Sequence, residues 1–232
     1  MFVRADEKVP IARLLTFLAH GERLASACAD AQARMVTNPR ERLFLLSQAR
    51  QEAAHAVVFR TAIAWLAPKH VGSVPLLAPL EEYRRKVFDA LSRQDMIESV
   101  LAEQVILEGL GEAILSRIES GLVKRAAPFG RLRRILLQQE EAHHGFGRRV
   151  LDRAMAEHRT DAATLRRLAE DYLGLTERMV LELSGLFESI DENPAAWAGD
   201  VKTFLPSWLS PEPIADNESD GAGHGFGRHT GV

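Results

Sequence analysis

Apolar residues recur every three or four positions along most of this chain, which is the period of one face of an α-helix. The first such stretch begins near Pro10 and ends at Asn38. Pro39 opens the second, because proline suits a first helical turn. The pattern predicts an all-α fold, a four-helix bundle with helices over about 10–38, 39–66, 94–120 and 129–157.

Further segments extend this bundle. Residues 67–80 are predicted to form a connecting loop and residues 81–91 a short helix. An additional C-terminal helix is predicted over 161–190, followed by a segment whose aromatic residues are expected to dock. After Pro211 the composition changes to Pro, Gly, Asp and Ser, which is typical of disorder. We therefore expect one helical domain, residues 1–209, and a disordered tail, residues 210–232.

Two copies of the motif Glu-x-x-His stand out on the predicted helices. A carboxylate and an imidazole three residues apart share one helix face, so both can reach one metal ion. A lone glutamate lies beside the apolar face of the helix before each copy. Four helices that supply Glu, Glu-x-x-His, Glu and Glu-x-x-His form the ligand set of a carboxylate-bridged di-iron centre. The six candidate metal ligands, which are also the candidate catalytic residues, are Glu22, Glu52, His55, Glu108, Glu140 and His143.

Two registers compete in the second copy, Glu140 with His143 and Glu141 with His144. The apolar face of this helix is predicted to carry Leu132, Ile135, Leu136, Phe146 and Val150. With Leu132 at zero and about 100° per residue, this face centres near zero, His143 lies at roughly 20° and Glu140 at roughly 80°. His144 lies at roughly 120° and Glu141 at roughly 180°, on the outward side. We therefore assign Glu140 and His143 to the site, with Glu141 in solvent and His144 at the boundary.

The third helix offers Glu103, Glu108 and Glu112, and helical phase does not decide among them. Chain spacing favours Glu108, because it precedes Glu140 by 32 residues, close to the 30 that separate Glu22 from Glu52. Glu103 stays open as the alternative. Gly109, Gly111 and Ala113 leave room near Glu108 for a substrate.

Charge and composition agree with an oxygen-rich metal site. Buried carboxylates repel one another unless cations neutralise them. Oxygen ligands with one imidazole per metal suit iron or manganese, and we expect two iron ions, with manganese as the alternative at one position. The net charge of −3 offers no basic surface for nucleic acid. No apolar stretch has the length of a membrane span, and the single cysteine, Cys28, fits a reducing, cytoplasmic compartment.

On these residues the chain resembles the ferritin-like di-iron carboxylate superfamily. Glu140-x-x-His143-x-x-Phe146-Gly147 and Val105-Ile106-Leu107-Glu108 are similar to motifs of aldehyde-deformylating oxygenases and of ribonucleotide reductase small-subunit-like oxidases. The resemblance covers about residues 10–158. It implies a ferritin-like bundle that activates dioxygen. In it Glu52 and Glu140 bridge the metals, Glu22 and Glu108 are terminal ligands, and His55 and His143 bind one metal each.

One position departs from the radical-generating members of that superfamily. They carry a tyrosine one turn after the first ligand histidine, where this chain has Phe59. The two tyrosines, Tyr83 and Tyr172, are distant from the ligands in sequence. A single cysteine also excludes a four-cysteine iron centre. We therefore expect no stable tyrosyl radical, and an external electron donor.

These observations favour a di-iron oxidase or oxygenase that uses dioxygen to oxidise a small or medium organic substrate. Four glutamines near the ligands are candidate hydrogen-bond donors to them: Gln48, Gln51, Gln104 and Gln139. A ferritin-like ferroxidase and iron-storage protein is the alternative, and a scaffold with a vestigial site is a third hypothesis. The enzyme hypothesis predicts a monomer or homodimer, and the storage hypothesis predicts a shell.

Overall fold

The computed structural model describes residues 4–72, 77–124, 126–184, 187 and 193–209. Every regular element in these ranges is a helix, which confirms the predicted all-α fold. Short 3₁₀ turns cover Pro68–His70 and Ser207–Leu209. The predicted tail, residues 210–232, lies outside the described residues. The longer elements are α1 (Lys8–Met35), α2 (Pro39–Leu66), α3 (Ala78–Ser92), α4 (Met96–Val100), a π-helical segment (Leu101–Leu107), α5 (Glu108–Lys124), α6 (Gly130–Ala156), α7 (Ala162–Glu182) and α8 (Pro194–Phe204).

α1 and α2 pack along their length as one hairpin. The connection between them is short because Asn38 caps α2, and its side chain accepts the backbone N–H of Arg40 at 2.9 Å. Pro39 follows in the first turn, as predicted. α2 ends immediately before Ala67 and Pro68, since a proline ring cannot continue a helix. The observed bounds of α2 agree with the predicted ones.

The third long helix is not the uniform α-helix that the apolar period predicts. Between α4 and α5 the chain forms seven residues of π-helix, and the backbone N–H of Glu108 bonds to the carbonyl of Glu103, five residues earlier. All seven residues are buried. An apolar period cannot reveal this change, because the segment is covered on every side. π-helical turns are rare and often occur at functional sites.

α6 carries its predicted apolar face only in part. Leu136, Phe146 and Val150 are buried, but Leu132 and Ile135 are 46% and 43% exposed. The prediction was wrong for the first two turns, because the core does not cover this end of α6. Burial along the helix starts at Leu136.

The C-terminal elements pack onto the bundle. α7 begins after Asp161, which accepts the N–H of Thr164 at 2.6 Å. It ends at Glu182, earlier than the predicted 190; residues 185–186 and 188–192 lie outside the described ones. α8 packs against α5 and α7, and its buried Trp197 stacks on Phe187 with ring centroids 4.3 Å apart. The predicted docking of this aromatic segment is confirmed.

One hydrophobic core joins the long helices and contains a group of buried carboxylates and imidazoles at its centre. Most of them lie on the inward faces of α1, α2, α5 and α6. Within the described part of the chain, no helix combines the length and apolar character needed to cross a bilayer.

Candidate metal centre

The structure brings all six candidate ligands together between the helices. Their donor atoms form two groups, and within each group the atoms lie within 4.8 Å of one another. Each group contains three carboxylates and one imidazole, and Glu52 and Glu140 belong to both. The first group adds Glu22 and His55, and the second adds Glu108 and His143. Such a pair of overlapping groups could hold two cations with the shared carboxylates between them.

Both imidazoles point their Nδ1 atoms at the carboxylates. His55 Nδ1 lies 3.0 Å from Glu52 Oε2 and 2.9 Å from Glu140 Oε1. His143 Nδ1 lies 2.5 Å from Glu52 Oε1. The ring centroids of the two histidines are 6.4 Å apart. Each histidine therefore presents one nitrogen to the space that the carboxylates enclose.

Three of these donor atoms are buried and have no hydrogen-bond partner: Glu52 Oε1, Glu140 Oε1 and His143 Nδ1. The short contact between His143 Nδ1 and Glu52 Oε1 does not have hydrogen-bond geometry, so the two atoms only converge on the same space. Unpaired buried polar atoms are costly, and a cation bound among them removes that cost. The side chains present therefore fit a metal.

The electrostatics of the cluster also fit cations. Burial raises the pKa of Glu22 well above its ordinary range, and the nearby carboxylate of Glu140 raises it further. Burial does the same to the pKa of Glu108, where Glu52 adds to the effect. Each of these pKa shifts reflects negative charge placed in a dry interior. Two divalent cations would offset it.

Two further shifts arise from the close approach of carboxylates and imidazoles. Burial alone would raise the pKa of Glu52, but the imidazoles of His143 and His55 beside it outweigh burial and lower the pKa. Burial alone would lower the pKa of His55, but the carboxylates of Glu140, Glu22 and Glu52 beside it outweigh burial and raise the pKa well above the ordinary range.

Comparison with known proteins identifies the fold but no close relative. No family model and no curated protein matches the sequence. Among solved structures, the chain is similar to a Synechococcus protein described as having aldehyde deformylating oxidase activity. The TM-score is 0.73 at 18% identity, and the match covers 90% of this chain and 92% of the other. The chain has a ferritin-like fold. The predicted ferritin-like four-helix bundle with an additional C-terminal helix is therefore confirmed.

Glutamines surround the cluster of this ferritin-like bundle, as the sequence suggested, but not all of them donate. Gln48 Nε2 donates to Glu108 Oε1 at 2.9 Å and to Glu103 Oε1 at 3.1 Å. Gln51 and Gln139 instead place their Oε1 atoms near the histidine rings. Gln104 bonds to Gln48 at 3.4 Å and to Gln32, so it supports the cluster from farther away.

Glu103, the alternative third-helix ligand, is buried beside the cluster but belongs to neither four-residue group. Burial raises the pKa of its carboxyl well above the ordinary range, and Glu52 and Glu140 raise it further. In an α-helix, residues five apart differ by about 140° in direction. The wider π-helical turn brings Glu103 and Glu108 closer to one face. The 32-residue spacing to Glu140 favours Glu108, but it does not predict that both glutamates are buried.

His144 was expected at the boundary, but it is only 4% exposed. Its Nδ1 lies 2.8 Å from Glu112 Oε2, and its ring faces Gly109. An added Cβ at Gly109 would lie 3.8 Å from both the His144 ring and Leu205. These two side chains therefore border the space beside Gly109 at van der Waals distance.

Glu141 is exposed, as predicted, and lines a groove of about 230 Å³ between α5 and α6. The groove also reaches Glu112, the partner of His144. Its lining residues are Glu112, Ser116, Arg134, Leu137, Gln138 and Glu141.

The aromatic ring that contacts His143 and the one that lies one turn beyond His55 both belong to phenylalanines. Phe59 is 6% exposed and lies one turn beyond His55, and Phe44 packs edge-on against His143 with centroids 6.1 Å apart. Tyr83 and Tyr172 pack against each other with centroids 5.0 Å apart. The hydroxyl of Tyr83 donates to the carbonyl of Ala102 at 2.5 Å. Phe59 thus places a buried phenyl ring at the position where the resemblance implies a tyrosine in radical-generating proteins.

Proposed function

We propose that this chain is a di-iron oxidase or oxygenase that uses dioxygen to oxidise a small or medium organic substrate. The observation that carries the proposal is the pair of buried donor groups that share Glu52 and Glu140. Two metal positions with common carboxylates provide the arrangement needed for two-metal chemistry. The ferritin-like fold supports the same reading at the level of architecture.

In this proposal each residue has a defined task. Glu52 and Glu140 would hold both cations, while Glu22 with His55 and Glu108 with His143 would complete one position each. Iron is the metal that this donor set favours, with manganese as the alternative at one position. When bound, a pair of ferrous ions supplies electrons to dioxygen and oxidising power to the substrate. The protein supplies the geometry, and the electrons for further turnovers come from an external donor.

Burial lets the chain's own residues control this chemistry. Glu52, Glu140 and His143 are each at most 2% exposed, so bulk water is excluded from the shared carboxylates. Gln48 holds Glu108 in place through its amide N–H. Phe59 and Phe44 add apolar surface beside the imidazoles. Dry surroundings with apolar rings of this kind favour an organic substrate.

The Synechococcus protein of similar fold has aldehyde deformylating oxidase activity, so aldehydes are the first substrate class to test. Full-length protein is loaded anaerobically with ferrous iron, and metal content is measured against protein. We expect two irons per chain and dioxygen uptake that increases when a substrate and a reductant are added. A variant with Glu141→Gln, a change at an exposed position, is the matched control.

Other outcomes would decide against the proposal. Iron near zero per chain would remove the metal centre. Rapid iron oxidation with many irons per chain in a large assembly would favour storage instead. Solution mass separates these cases, because the proposal expects a monomer or homodimer.

A further inference from the structure

Two glutamines hold the two histidines of the cluster in a crossed arrangement. Gln51 Oε1, on α2, lies 2.7 Å from Nε2 of His143 on α6. Gln139 Oε1, on α6, lies 2.8 Å from Nε2 of His55 on α2. Each glutamine directly precedes the glutamate of its own Glu-x-x-His motif, so the repeated sequence is Gln-Glu-x-x-His. The same contact therefore occurs twice, each time with the opposite helix.

Helix geometry explains the crossing. A residue next to an inward-facing glutamate is turned by about 100° around the helix axis. Gln51 and Gln139 are accordingly only half-buried, while the glutamates that follow them are buried in the centre. Their side chains point along the seam between α2 and α6. From there each amide reaches the outer nitrogen of the facing histidine.

The contacts define which nitrogen of each ring carries the proton. His55 Nδ1 and His143 Nδ1 face the carboxylates, at 2.9 Å from Glu140 Oε1 and 2.5 Å from Glu52 Oε1. A nitrogen that binds a metal must offer its lone pair, so with a metal at Nδ1 the ring proton would reside on Nε2. Nε2–H then donates to the amide oxygen, and the glutamines act as acceptors rather than the predicted donors.

An amide is the acceptor that suits this cluster. The proposed ligands already include four buried carboxylates, and Glu103 is a fifth beside them. Two more carboxylates at positions 51 and 139 would add negative charge to a site where burial and repulsion already raise carboxyl pKa values. A glutamine oxygen accepts the same hydrogen bond and adds no charge.

We infer that Gln51 and Gln139 are crossed positioning residues. Each fixes the tautomer and ring orientation of the metal-binding histidine on the other helix, so each metal position depends on the glutamine of the opposite motif. The inference rests on the proposed function, because it requires His55 and His143 to be metal ligands. A substitution of Gln51 on α2 should therefore weaken metal binding by His143 on α6. A substitution of Gln139 on α6 should weaken metal binding by His55 on α2.

The test uses full-length, ¹⁵N-labelled protein titrated with zinc ions, which are diamagnetic and accept the same donors. Long-range ¹H–¹⁵N correlation spectra report, for each imidazole, the ligated nitrogen and the protonated one. In the unaltered protein both histidines should show ligated Nδ1 and protonated Nε2. Gln51→Leu should disturb this pattern for His143 alone, and Gln139→Leu for His55 alone. The zinc affinity of the affected position should fall by about 10- to 100-fold, the usual effect of losing such a support.

Two further sets of variants keep the test decisive. Gln138→Leu makes the same change at an exposed neighbouring position and should leave both patterns intact. Gln51→Glu and Gln139→Glu keep an acceptor of equal length, so they should keep the tautomer. Each should move only the Nε2 proton of the facing histidine downfield, and this readout holds even where a leucine variant fails to fold.

The outcomes separate the inference from the proposed function. Absence of any zinc-ligated imidazole nitrogen in the unaltered protein would overturn the metal centre itself. Ligated histidines whose spectra do not respond to either glutamine, or that respond on the same helix as the substitution, would overturn the crossed arrangement and leave the metal centre standing.

Discussion

Glu108 donates its backbone N–H to the carbonyl of Glu103, and both side chains accept hydrogen bonds from the same amide of Gln48. This hydrogen bond between residues five apart belongs to the π-helical segment. It places Glu103, which is outside both donor groups, beside Glu108, which belongs to one of them. Glu103 Oε2 is buried without a hydrogen-bond partner. The π-helical turn thus concentrates negative charge at one side of the candidate centre.

This concentration of negative charge predicts that Glu108→Gln stabilises the metal-free protein and reduces the stabilisation that metal binding gives. The raised pKa of Glu108 means that ionisation costs the folded state stability, and the cost grows as pH rises from the unfolded pKa through the folded one. Glu108→Gln should therefore raise the Tm of the metal-free protein at pH 8. It should also reduce the increase in Tm that ferrous iron gives under anaerobic conditions, since ligand binding stabilises the folded state.

The control for this prediction is Glu141→Gln, because Glu141 is exposed and outside both donor groups. It should leave both Tm values nearly unchanged. Differential scanning calorimetry with and without iron makes the measurement. A metal-free Glu108→Gln protein that melts lower than the unaltered one would contradict the charge argument.

A second prediction concerns how α6 supports the π-helical segment. A Cβ added at Gly147 would lie 2.5 Å from Gln104 Cβ and 3.1 Å from the Gln104 carbonyl carbon. Backbone atoms cannot move aside cheaply, so Gly147→Ala should destabilise the fold by about 1–3 kcal/mol, as overpacking generally does. Chemical denaturation measures the change in free energy of unfolding.

Gly174→Ala is the matched control, because an added Cβ there would have no atom within 4 Å. Gly174 is an exposed residue inside α7, so alanine should stabilise the helix by about 0.5–1 kcal/mol. Equal effects of the two substitutions would show that Gly147 is not a close-contact position. The free energy of unfolding should fall for Gly147→Ala and rise for Gly174→Ala. This difference separates the effect of packing from the effect of helix propensity.

Much of the helical framework follows from local chemistry. The Asn38–Pro39 pair sets the boundary between α1 and α2 because one residue caps the helix and the other fits its first turn. The two Glu-x-x-His motifs could be placed on inward faces from their position among apolar residues. These signals depend on neighbours within one or two helical turns, and a sequence displays them directly.

Contacts between distant segments could not be predicted in the same way. The π-helical segment differs from an α-helix in its hydrogen bonds, but its apolar residues look the same in the sequence. The sequence therefore does not show that this segment buries both Glu103 and Glu108. His144 is buried because α5 lies against it, with Glu112 beside its Nδ1 and Gly109 beside its ring. Leu132 is exposed because the core ends before it. Each outcome depends on where another helix lies.

The choice of histidine on α6 is a third prediction. His143→Ala should remove binding at one metal position, because His143 Nδ1 belongs to a donor group and lies 2.5 Å from Glu52. His144→Ala should keep both positions, because its Nδ1 bonds to Glu112 outside the cluster. Counting zinc or iron per chain by mass spectrometry measures the result. The reverse behaviour of the two variants would show that the register is one residue off.

The same logic applies to the adjacent carboxylates. Glu140 is 2% exposed and shared between both groups, so Glu140→Gln should weaken binding at both positions. Glu141→Gln should bind two metals like the unaltered protein. The two substitutions remove the same charge at adjacent positions of α6. An effect of losing the charge alone would therefore appear in both variants, and an effect on metal binding only in Glu140→Gln.

The last prediction is that the iron-loaded protein reacts with dioxygen without forming a stable tyrosyl radical. Phe59 is buried one turn beyond His55, where a phenol would be needed for rapid electron transfer to the cluster, and a phenyl ring has no O–H to lose. Tyr83 and Tyr172 pack against each other, and burial raises the pKa of both phenols above the ordinary range. The hydroxyl of Tyr83 donates to a backbone carbonyl, which cannot take up its proton.

Rapid-freeze electron paramagnetic resonance after mixing the ferrous protein with dioxygen makes the measurement. Phe59→Tyr supplies the missing phenol and is the positive comparison, since a radical signal there and not in the unaltered protein would locate the deciding position. A long-lived radical in the unaltered protein that disappears on Tyr83→Phe or Tyr172→Phe would instead show that oxidising power leaves the centre through these rings.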